Sequence, residues 1–337
     1  MRKLGKITAA ALAAVLAMSV GACGASNASG GNDTQGSAAG NADGKVYNIG
    51  ICQQLEHPAL DAATEGFQAA LKDKLGDKVT FDVQNAQNEQ ANASTIANNF
   101  VANKVDLILA NATTALQCCA AATTDIPILG TSVTDYATAL EIDNWDGTTG
   151  RNISGTSDLA PLQEQEAMLK ELFPDAKKVA ILYCNSEANS KYQATEFKKY
   201  LDADGISSEE VTASDSNDLG SAVQSAVEKA DVIYIPTDNT MAQNTEAINN
   251  ITLPAKKPVI AGEEGICKGC GVATLSISYY DLGYKTGEMA YDVLVNGKDV
   301  SSMEIQYAPK VTKEYNKSIC DKLGVKVPDD YEAIATE

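Results

Sequence analysis

The chain has 337 residues, of which 44% are hydrophobic and 21% are charged. This length suits two packed domains better than one. The 45 acidic residues outnumber the 26 basic ones, and the formal net charge is −19. Nucleic acid and anionic lipid surfaces would repel such a chain, so the charge balance argues against binding to either.

The first 22 residues have the features of an export signal. Basic residues at positions 2, 3 and 6 precede an apolar segment, residues 9–20, that is too short and too alanine-rich to span a membrane well. The following segment, Val20-Gly21-Ala22-Cys23, resembles the lipobox of bacterial lipoproteins. This resemblance implies cleavage before Cys23 and lipid attachment to its thiol. We therefore predict that residues 1–22 are a lipoprotein signal peptide rather than a plain secretory signal.

Residues 23–45 are predicted to form a flexible tether. They consist mainly of Gly, Ser, Asn and Ala, with almost no large apolar residue. A segment of this composition cannot bury a core of its own. The tether would connect a lipid on Cys23 to the folded part of the chain.

Strands and helices alternate through the first half of the remaining chain. Predicted strands cover residues 46–54, 79–83, a run that ends at Asn111, and residues 127–130. Pro58 suits the first turn of one helix, and residues 91–101 form a second. Thr113 or Thr114 is placed to cap a third. The run that ends at Asn111 is apolar on both faces, as a parallel strand covered by helices is.

The pattern restarts after Pro161. Predicted strands cover residues 179–184, a weaker one at Val211, and residues 231–238, 258–262 and 274–278. Helices are predicted between them, with the last at residues 282–294, which carries a stripe of small residues. The runs at residues 104–114 and 229–239 have the same form, Lys-x-Asp followed by an apolar strand and a polar turn. We read this repetition as two similar lobes.

The predicted fold class is α/β, with two doubly wound parallel-sheet lobes joined by hinge strands. The N-terminal lobe would comprise residues 46–157 plus about 280–306, and the C-terminal lobe residues 158–279 plus about 307–337. Polar strand ends of both lobes would then face one cleft, because open α/β sheets bind ligands at the carboxyl ends of their strands.

Seven cysteines follow Cys23, at positions 52, 118, 119, 184, 267, 270 and 320. An odd number in an exported protein leaves at least one thiol free. Cys267 and Cys270 are spaced as in a redox pair, half of a metal site or a local disulfide. The chain has no second such pair and one histidine, so a zinc site has poor support. We predict a local disulfide or unused thiols, no metal and no cofactor.

Several segments carry a family resemblance: residues 56–63 (EHPALDAA), 234–240 (YIPTDNT) and 278–283 (SYYDLG), with residues 185–190 (NSEANS) and 157–159 (SDL) in support. They resemble the substrate-binding lipoproteins of ABC importers, and most closely the tryptophan-binding, or TrpX-like, branch of the type I periplasmic-binding fold. The resemblance covers about residues 46–335. It implies an aromatic or other apolar amino acid as the ligand, and an ABC permease with its ATPase as partners.

An amino acid needs donors for its carboxylate and acceptors for its ammonium. Helix N-termini suit the carboxylate, and Asp238 is the first candidate for the ammonium. The predicted ligand-binding residues are Gln54, His57, Thr113, Thr114, Asp158, Asn185, Glu187, Asn189, Asp238, Asn239, Glu264 and Tyr280. Alternatives stay open at several positions: Asp238 and the two threonines as helix caps only, His57 as a surface turn residue, and Tyr280 as a core residue.

No nucleophile elbow, metalloprotease motif or phosphate-binding loop occurs in the sequence, so we predict no enzyme. The expected protein is an extracytoplasmic, lipid-anchored, monomeric solute-binding component of an ABC importer. Three alternatives are a receptor for another small solute such as a sugar or nucleoside, a ligand sensor for a membrane signalling partner, and a thiol oxidoreductase built on Cys267 and Cys270.

Overall fold

The structure, a computed structural model, describes residues 44–308 and 310–335. The predicted signal peptide, Cys23 and nearly all of the tether lie outside the described residues. The strands are β1 (Tyr47–Gln53), β2 (Val79–Asn85), β3 (Leu107–Asn111), β4 (Ile128–Val133), β5 (Ile153–Ser157), β6 (Lys178–Cys184), β7 (Ser207–Ala213), β8 (Val232–Ile235), β9 (Val259–Ala261), β10 (Ala273–Ser276), β11 (Gln306–Tyr307), β12 (Thr312–Tyr315) and β13 (Glu332–Ala333).

The helices are α1 (Pro58–Leu75), α2 (Gln90–Asn103), α3 (Thr113–Ala122), α4 (Tyr136–Leu140), α5 (Leu162–Leu172), α6 (Ala188–Ala203), α7 (Leu219–Lys229), α8 (Asn239–Gln243), α9 (Thr245–Thr252), α10 (Glu264–Cys270), α11 (Tyr279–Leu294) and α12 (Lys317–Leu323). No helix in the described ranges is long and apolar enough to span a membrane.

The first sheet has six strands in the order β11-β5-β4-β3-β1-β2, and all of its pairs are parallel. Every residue of β3 and β4 is buried. Phe67 and Leu71 of α1 pack on one face with Leu107, while Phe100 and Leu116 pack on the other. Burial on both faces explains why these strands are apolar except near their carboxyl ends, where β3 has Asn111 and β4 has Thr131 and Ser132.

The second sheet has seven strands in the order β13-β12-β10-β9-β8-β6-β7. Its pairs are parallel except for β10 and β12. The inner strand β8 is buried at every position, and its Tyr234 stacks on Phe197 of α6 with ring centroids 3.6 Å apart. Two parallel-dominated sheets among helices confirm the predicted α/β class.

The chain passes between the two sheets three times, after β5, after β10 and after β11. Helix α11 follows the second of these passages and lies against α1. The two helices are close because Gly283 of α11 meets the backbone of Ala63, and Gly66 of α1 meets that of Tyr280. We propose that each sheet with its helices is one lobe of the predicted division.

One prediction about local structure was wrong. Helix 282–294 is not the last, because α12 follows it, with Asn316 accepting from the Ile319 N–H at its start and Gly324 in a left-handed conformation at its end. A helix of seven residues is too short to show a clear apolar periodicity. Cys267 and Cys270 lie in helix α10, which ends before Gly271 and is followed by β10.

The seven cysteines that the structure describes are buried, and their thiols are free. Within the described residues no group of three or more His, Cys, Asp or Glu side chains is placed to hold a metal ion.

Candidate functional site

A small chamber lies at the carboxyl ends of strands from both sheets. It is lined by His57 and Leu60 from the start of α1, Asp158 after β5, Thr237, Asp238 and Asn239 after β8, Ala242 of α8, Glu263 after β9, and Tyr279 at the start of α11. Its volume of about 10 Å³ is enough for roughly one water molecule. The residues that line the chamber therefore leave almost no free space between them.

Three carboxyl groups dominate the chamber wall, and all are buried. Burial raises the pKa of Asp158 to about 6 and that of Glu263 to about 7. Burial, and next the neighbouring Glu187 carboxylate, raises the pKa of Asp238 well above its usual range. No Lys or Arg that the structure describes lines the chamber. The wall thus lacks a positive charge that would stabilise the ionised acids.

Each of these acids also has a structural role. Thr134 Oγ1 and Tyr279 OH donate to the two carboxylate oxygens of Asp158, at 3.1 and 3.0 Å. Asp238 accepts from the N–H groups of Met241 and Cys184, at 2.8 and 2.7 Å. The capping alternative for Asp238 is therefore observed. A carboxylate has about four acceptor positions, so one bond per oxygen leaves room for a ligand donor.

Glu187 differs from these acids because protein donors, most of them in the segment after β8, already occupy its carboxylate. Its two oxygens accept five hydrogen bonds, from Asn189 Nδ2, from the N–H and side chain of Asn239, and from the N–H and side chain of Thr240, at 2.7–3.2 Å. Glu187 does not line the chamber. It fixes the segment that carries Asp238 and Asn239 into the chamber wall.

Two side chains of the first half of the chain reach this same segment. His57 Nε2 lies 3.2 Å from Asn239 Oδ1, and Asn88 Nδ2 donates to Thr240 Oγ1 at 3.1 Å. Burial lowers the pKa of His57. Because Asn239 uses its Nδ2 on Glu187, its Oδ1 is the acceptor and His57 Nε2 is the donor.

Five buried polar atoms at the carboxyl ends of strands and the starts of helices have no partner among the described residues: Gln54 Oε1, Asn111 Oδ1, Thr113 Oγ1, Ser132 Oγ and Asn189 Oδ1. Thr113 is the first residue of α3, where the backbone N–H groups also lack helical partners. Ala112 and Ser132 adopt positive φ angles of 94° and 54°. Strained backbone of this kind is concentrated at functional sites.

Gln54, Thr113 and Asn189 do not line the chamber, and neither do the remaining predicted residues. Thr114 is the second residue of α3, and Asn185 is exposed on a turn where its N–H donates to Ala213 O. Glu264 and Tyr280 line a larger neighbouring cavity of about 780 Å³. This cavity shares His57, Ala242, Glu263 and Tyr279 with the chamber.

Sequence reasoning missed several residues at these strand ends. In the pairs Glu263-Glu264 and Tyr279-Tyr280, the first member lines the chamber, although the second was chosen. Glu263 caps α10, where its carboxylate accepts from the Gly265 N–H at 2.7 Å. Ser132 had one signal in the sequence, since it is a polar residue near the carboxyl end of an apolar strand.

Comparison with known proteins gives a consistent family assignment. The family model described as ABC transporter substrate binding protein matches residues 48–337. A tyrosine-binding protein from Clostridioides difficile (strain R20291) is 39% identical over 293 residues, which cover 85% of this chain and 84% of that protein.

Two solved structures are also similar. A Streptococcus pneumoniae ABC domain in complex with L-Trp superposes with a TM-score of 0.81 at 32% identity, covering 85% of this chain and 97% of that one. A ligand-free, open substrate-binding protein with adhesive properties from Clostridium difficile gives a TM-score of 0.67 at 38% identity, covering 87% and 100%. The L-Trp complex has the higher TM-score although its sequence is less identical. The backbone arrangement of this chain is therefore nearer to the ligand complex than to the open form.

Proposed function

We propose that this chain, which belongs to the family of ABC transporter substrate-binding proteins, binds an amino acid with an aromatic side chain between its two lobes. Family membership confirms the predicted resemblance. It also confirms that the chain is a solute binder rather than an enzyme, and it implies an extracytoplasmic location and an ABC transporter as partner.

One observation carries the proposal. Asp158, Asp238 and Glu263 are buried around a single chamber that no described Lys or Arg lines. Buried carboxylates are costly without a positive partner. The α-ammonium group of an amino acid supplies that charge and up to three hydrogen-bond donors, each worth about 1.5–3 kcal/mol to a charged acceptor.

We assign the ligand carboxylate to the start of α3. Thr113 Oγ1 and Ser132 Oγ are buried without partners there, and the first turn of the helix offers free N–H groups. β3 and β4 are neighbours, with Asn111 paired to Thr131, so Thr113 after β3 and Ser132 near the end of β4 lie at adjacent strand ends. This arrangement supports Thr113 as a ligand contact, as predicted, and it adds Ser132 as a second contact for the ligand carboxylate.

The ligand side chain would meet Leu60, Ala242 and Tyr279, the apolar part of the chamber wall. The tyrosine-binding relative and the L-Trp complex support an aromatic side chain. Since the closed chamber holds roughly one water molecule, the lobes must separate for such a ligand to enter.

A ligand screen tests this function. The purified protein is heated with each of the twenty amino acids, common sugars and nucleosides, and hits are measured by isothermal titration calorimetry. We expect Tyr, Trp or Phe to raise the melting temperature, because a ligand at 100 times its dissociation constant adds about 2.7 kcal/mol to the free energy of unfolding. Stabilisation by sugars or nucleosides alone would favour the alternative receptor and contradict the assigned chemistry.

We also propose lipid anchoring at Cys23 and delivery of the ligand to a permease. The export signal and lipobox-like segment support the anchor, and the family supports delivery. Cys23→Ala is expected to move the protein from the membrane fraction to the soluble fraction. Deletion of the protein should abolish uptake of the labelled amino acid. Normal uptake with a lost transcriptional response would instead favour the sensor alternative.

The protein is proposed to act as a monomer. Segments that follow strands of both sheets line the ligand chamber, so one chain brings both walls of the site together. Light scattering of the purified protein should give the mass of one chain with and without ligand. A mass of two chains would contradict this proposal.

A further inference from the structure

The chamber has an asymmetric charge distribution. Asp158, Asp238 and Glu263 are each at most 3% exposed, and no described Lys or Arg stands beside them in the wall. His57 does not balance these acids, because burial lowers its pKa. An amino acid zwitterion brings no net charge into this environment, whereas a primary amine brings one positive charge.

Asn189 provides an independent sign that the site needs a hydrogen-bond donor. Its Nδ2 donates to Thr237 O at 3.0 Å and to Glu187 Oε2 at 3.2 Å. Both partners are acceptors, so the amide cannot be reversed. Its Oδ1 is therefore a buried acceptor without a donor, on a residue that lies outside the chamber wall but donates to Thr237 within it. An ammonium group has three donors and no acceptor.

The groups assigned to the ligand carboxylate are all neutral. They are Thr113 Oγ1, Ser132 Oγ and the N–H groups that begin α3. Neutral donors that lose a ligand group can be hydrated at small cost. Buried carboxylates that lose an ammonium group have no such substitute, since water carries no charge. The site should therefore tolerate loss of the carboxylate far better than loss of the amine.

We propose that the site accepts arylalkylamines, the decarboxylated counterparts of aromatic amino acids, as a second class of ligand. This inference rests on the proposed function, because it uses the same chamber. It names the ammonium group, rather than the whole zwitterion, as the feature that decides binding.

Three analogues that differ by one group test this inference. Isothermal titration calorimetry at pH 8, where Asp158 and Glu263 are mostly ionised, would compare L-tyrosine, tyramine and 3-(4-hydroxyphenyl)propionate. We expect tyramine to bind within about 100-fold of L-tyrosine and the propionate to bind at least about 100-fold more weakly than tyramine, since bonds to charged groups exceed those between neutral groups.

Different outcomes would overturn the binding of amines and the proposed amino-acid receptor function. If L-tyrosine binds and tyramine does not, or if the propionate binds as tightly as tyramine, the inference is overturned while the proposed function stands. If the protein binds none of the aromatic amino acids and none of these amines, both are overturned.

Matched variants locate the effect. Asp158→Asn and Glu263→Gln each remove one chamber charge with little change of shape, and each should weaken tyramine binding at least tenfold. Asp202→Asn removes an equal charge from the exposed end of α6 and should leave binding unchanged. Equal tyramine affinity in all three variants would contradict the assignment. Because the two chamber variants are independent, a folding defect in one leaves the other as a test.

Discussion

At the scale of single residues, Glu187 and Asp238 show how two neighbouring acids come to have different roles. Glu187 accepts four of its five hydrogen bonds from the segment that follows β8. Asp238 lies within that segment and faces the chamber. The first acid holds the wall in place, and the second is part of it. Both were predicted as ligand contacts, and we now propose that Glu187 acts through Asp238 and Asn239.

Replacement of Glu187 by Gln should destabilise the protein. The amide of Gln would set its NH₂ group against the N–H groups of Asn239 or Thr240 and leave at least one of them unpaired. We expect the free energy of unfolding in urea to fall by about 2–3 kcal/mol and the affinity for the ligand to fall with it. Glu196→Gln, which removes a surface partner of Lys199, should change the free energy of unfolding by about 0.5 kcal/mol or less. Equal losses in the two variants would contradict the role of Glu187.

The raised pKa values of Asp158 and Glu263, about 6 and 7, predict opposite pH effects on stability and binding. The ligand-free folded protein binds protons at these groups more readily than the unfolded chain. Their contribution therefore raises the free energy of unfolding as pH falls from 8 to 6. Ligand affinity should fall over the same range, because protonated acids attract an ammonium group less. Calorimetry would measure the ligand affinity, and urea unfolding the free energy of unfolding, at pH 8, 7 and 6.

Two variants serve as controls for this pH dependence. Asp158→Asn and Glu263→Gln should each flatten both profiles, since each removes one titrating group. A ligand affinity that rises on acidification of the native protein would contradict the assignment of these acids to the ammonium group.

At the scale of elements, the packing of α11 on α1 places Tyr279 at the chamber. The two helices approach closely at Gly66 and Gly283, where a side chain on either would collide with backbone atoms of the other helix. α11 begins at Tyr279, and its position therefore fixes the hydrogen bond from Tyr279 OH to Asp158. The small-residue stripe noticed in the sequence is thus a helix-packing feature that also positions a chamber residue.

Gly283→Val should weaken this packing. A Cβ at this position meets the carbonyl group of Ala63, so the helices must move apart. We expect the free energy of unfolding to fall by about 1–3 kcal/mol or more in urea titrations. The matched control is Gly220→Ala in α7, where a Cβ meets no atom; it should be neutral or stabilising by up to about 1 kcal/mol. A Gly283→Val protein as stable as the control would refute the close-packing argument.

At the scale of the whole molecule, the chamber is formed by segments that follow strands of both sheets. The contacts of His57 with Asn239 and of Asn88 with Thr240 join the two halves across it. These bonds must break if the lobes separate to admit a ligand. Hinge motion of this kind is a common way to close two domains around a solute.

Closure should be visible by small-angle X-ray scattering. We expect the radius of gyration to decrease when a ligand shown to bind by calorimetry is added at saturation, because the ligand stabilises the closed arrangement. Combining His57→Ala with Asn88→Ala should leave the ligand-free protein more open, since both interlobe contacts are lost. Identical scattering with and without ligand would contradict both the hinge and the predicted lobe division.

The sequence alone determined the α/β class, because parallel strands covered on both faces are apolar along most of their length. It also showed which strand ends are polar. It also predicted His57, Asp158, Asp238 and Asn239, all of which line the chamber. Their binding roles remain predictions. Cys23 and the signal peptide, which were predicted in the same way, lie outside the described residues.

Only the tertiary structure decided which residues meet. The sequence could not distinguish Glu263 from Glu264 or Tyr279 from Tyr280, because adjacent residues at a helix start point in different directions that depend on how the helix docks. Ser132 and Asn189 became informative only when burial left their oxygens without partners. A sequence pattern reports the local burial of a segment, whereas a binding chamber depends on where two separate sheets bring their strand ends together.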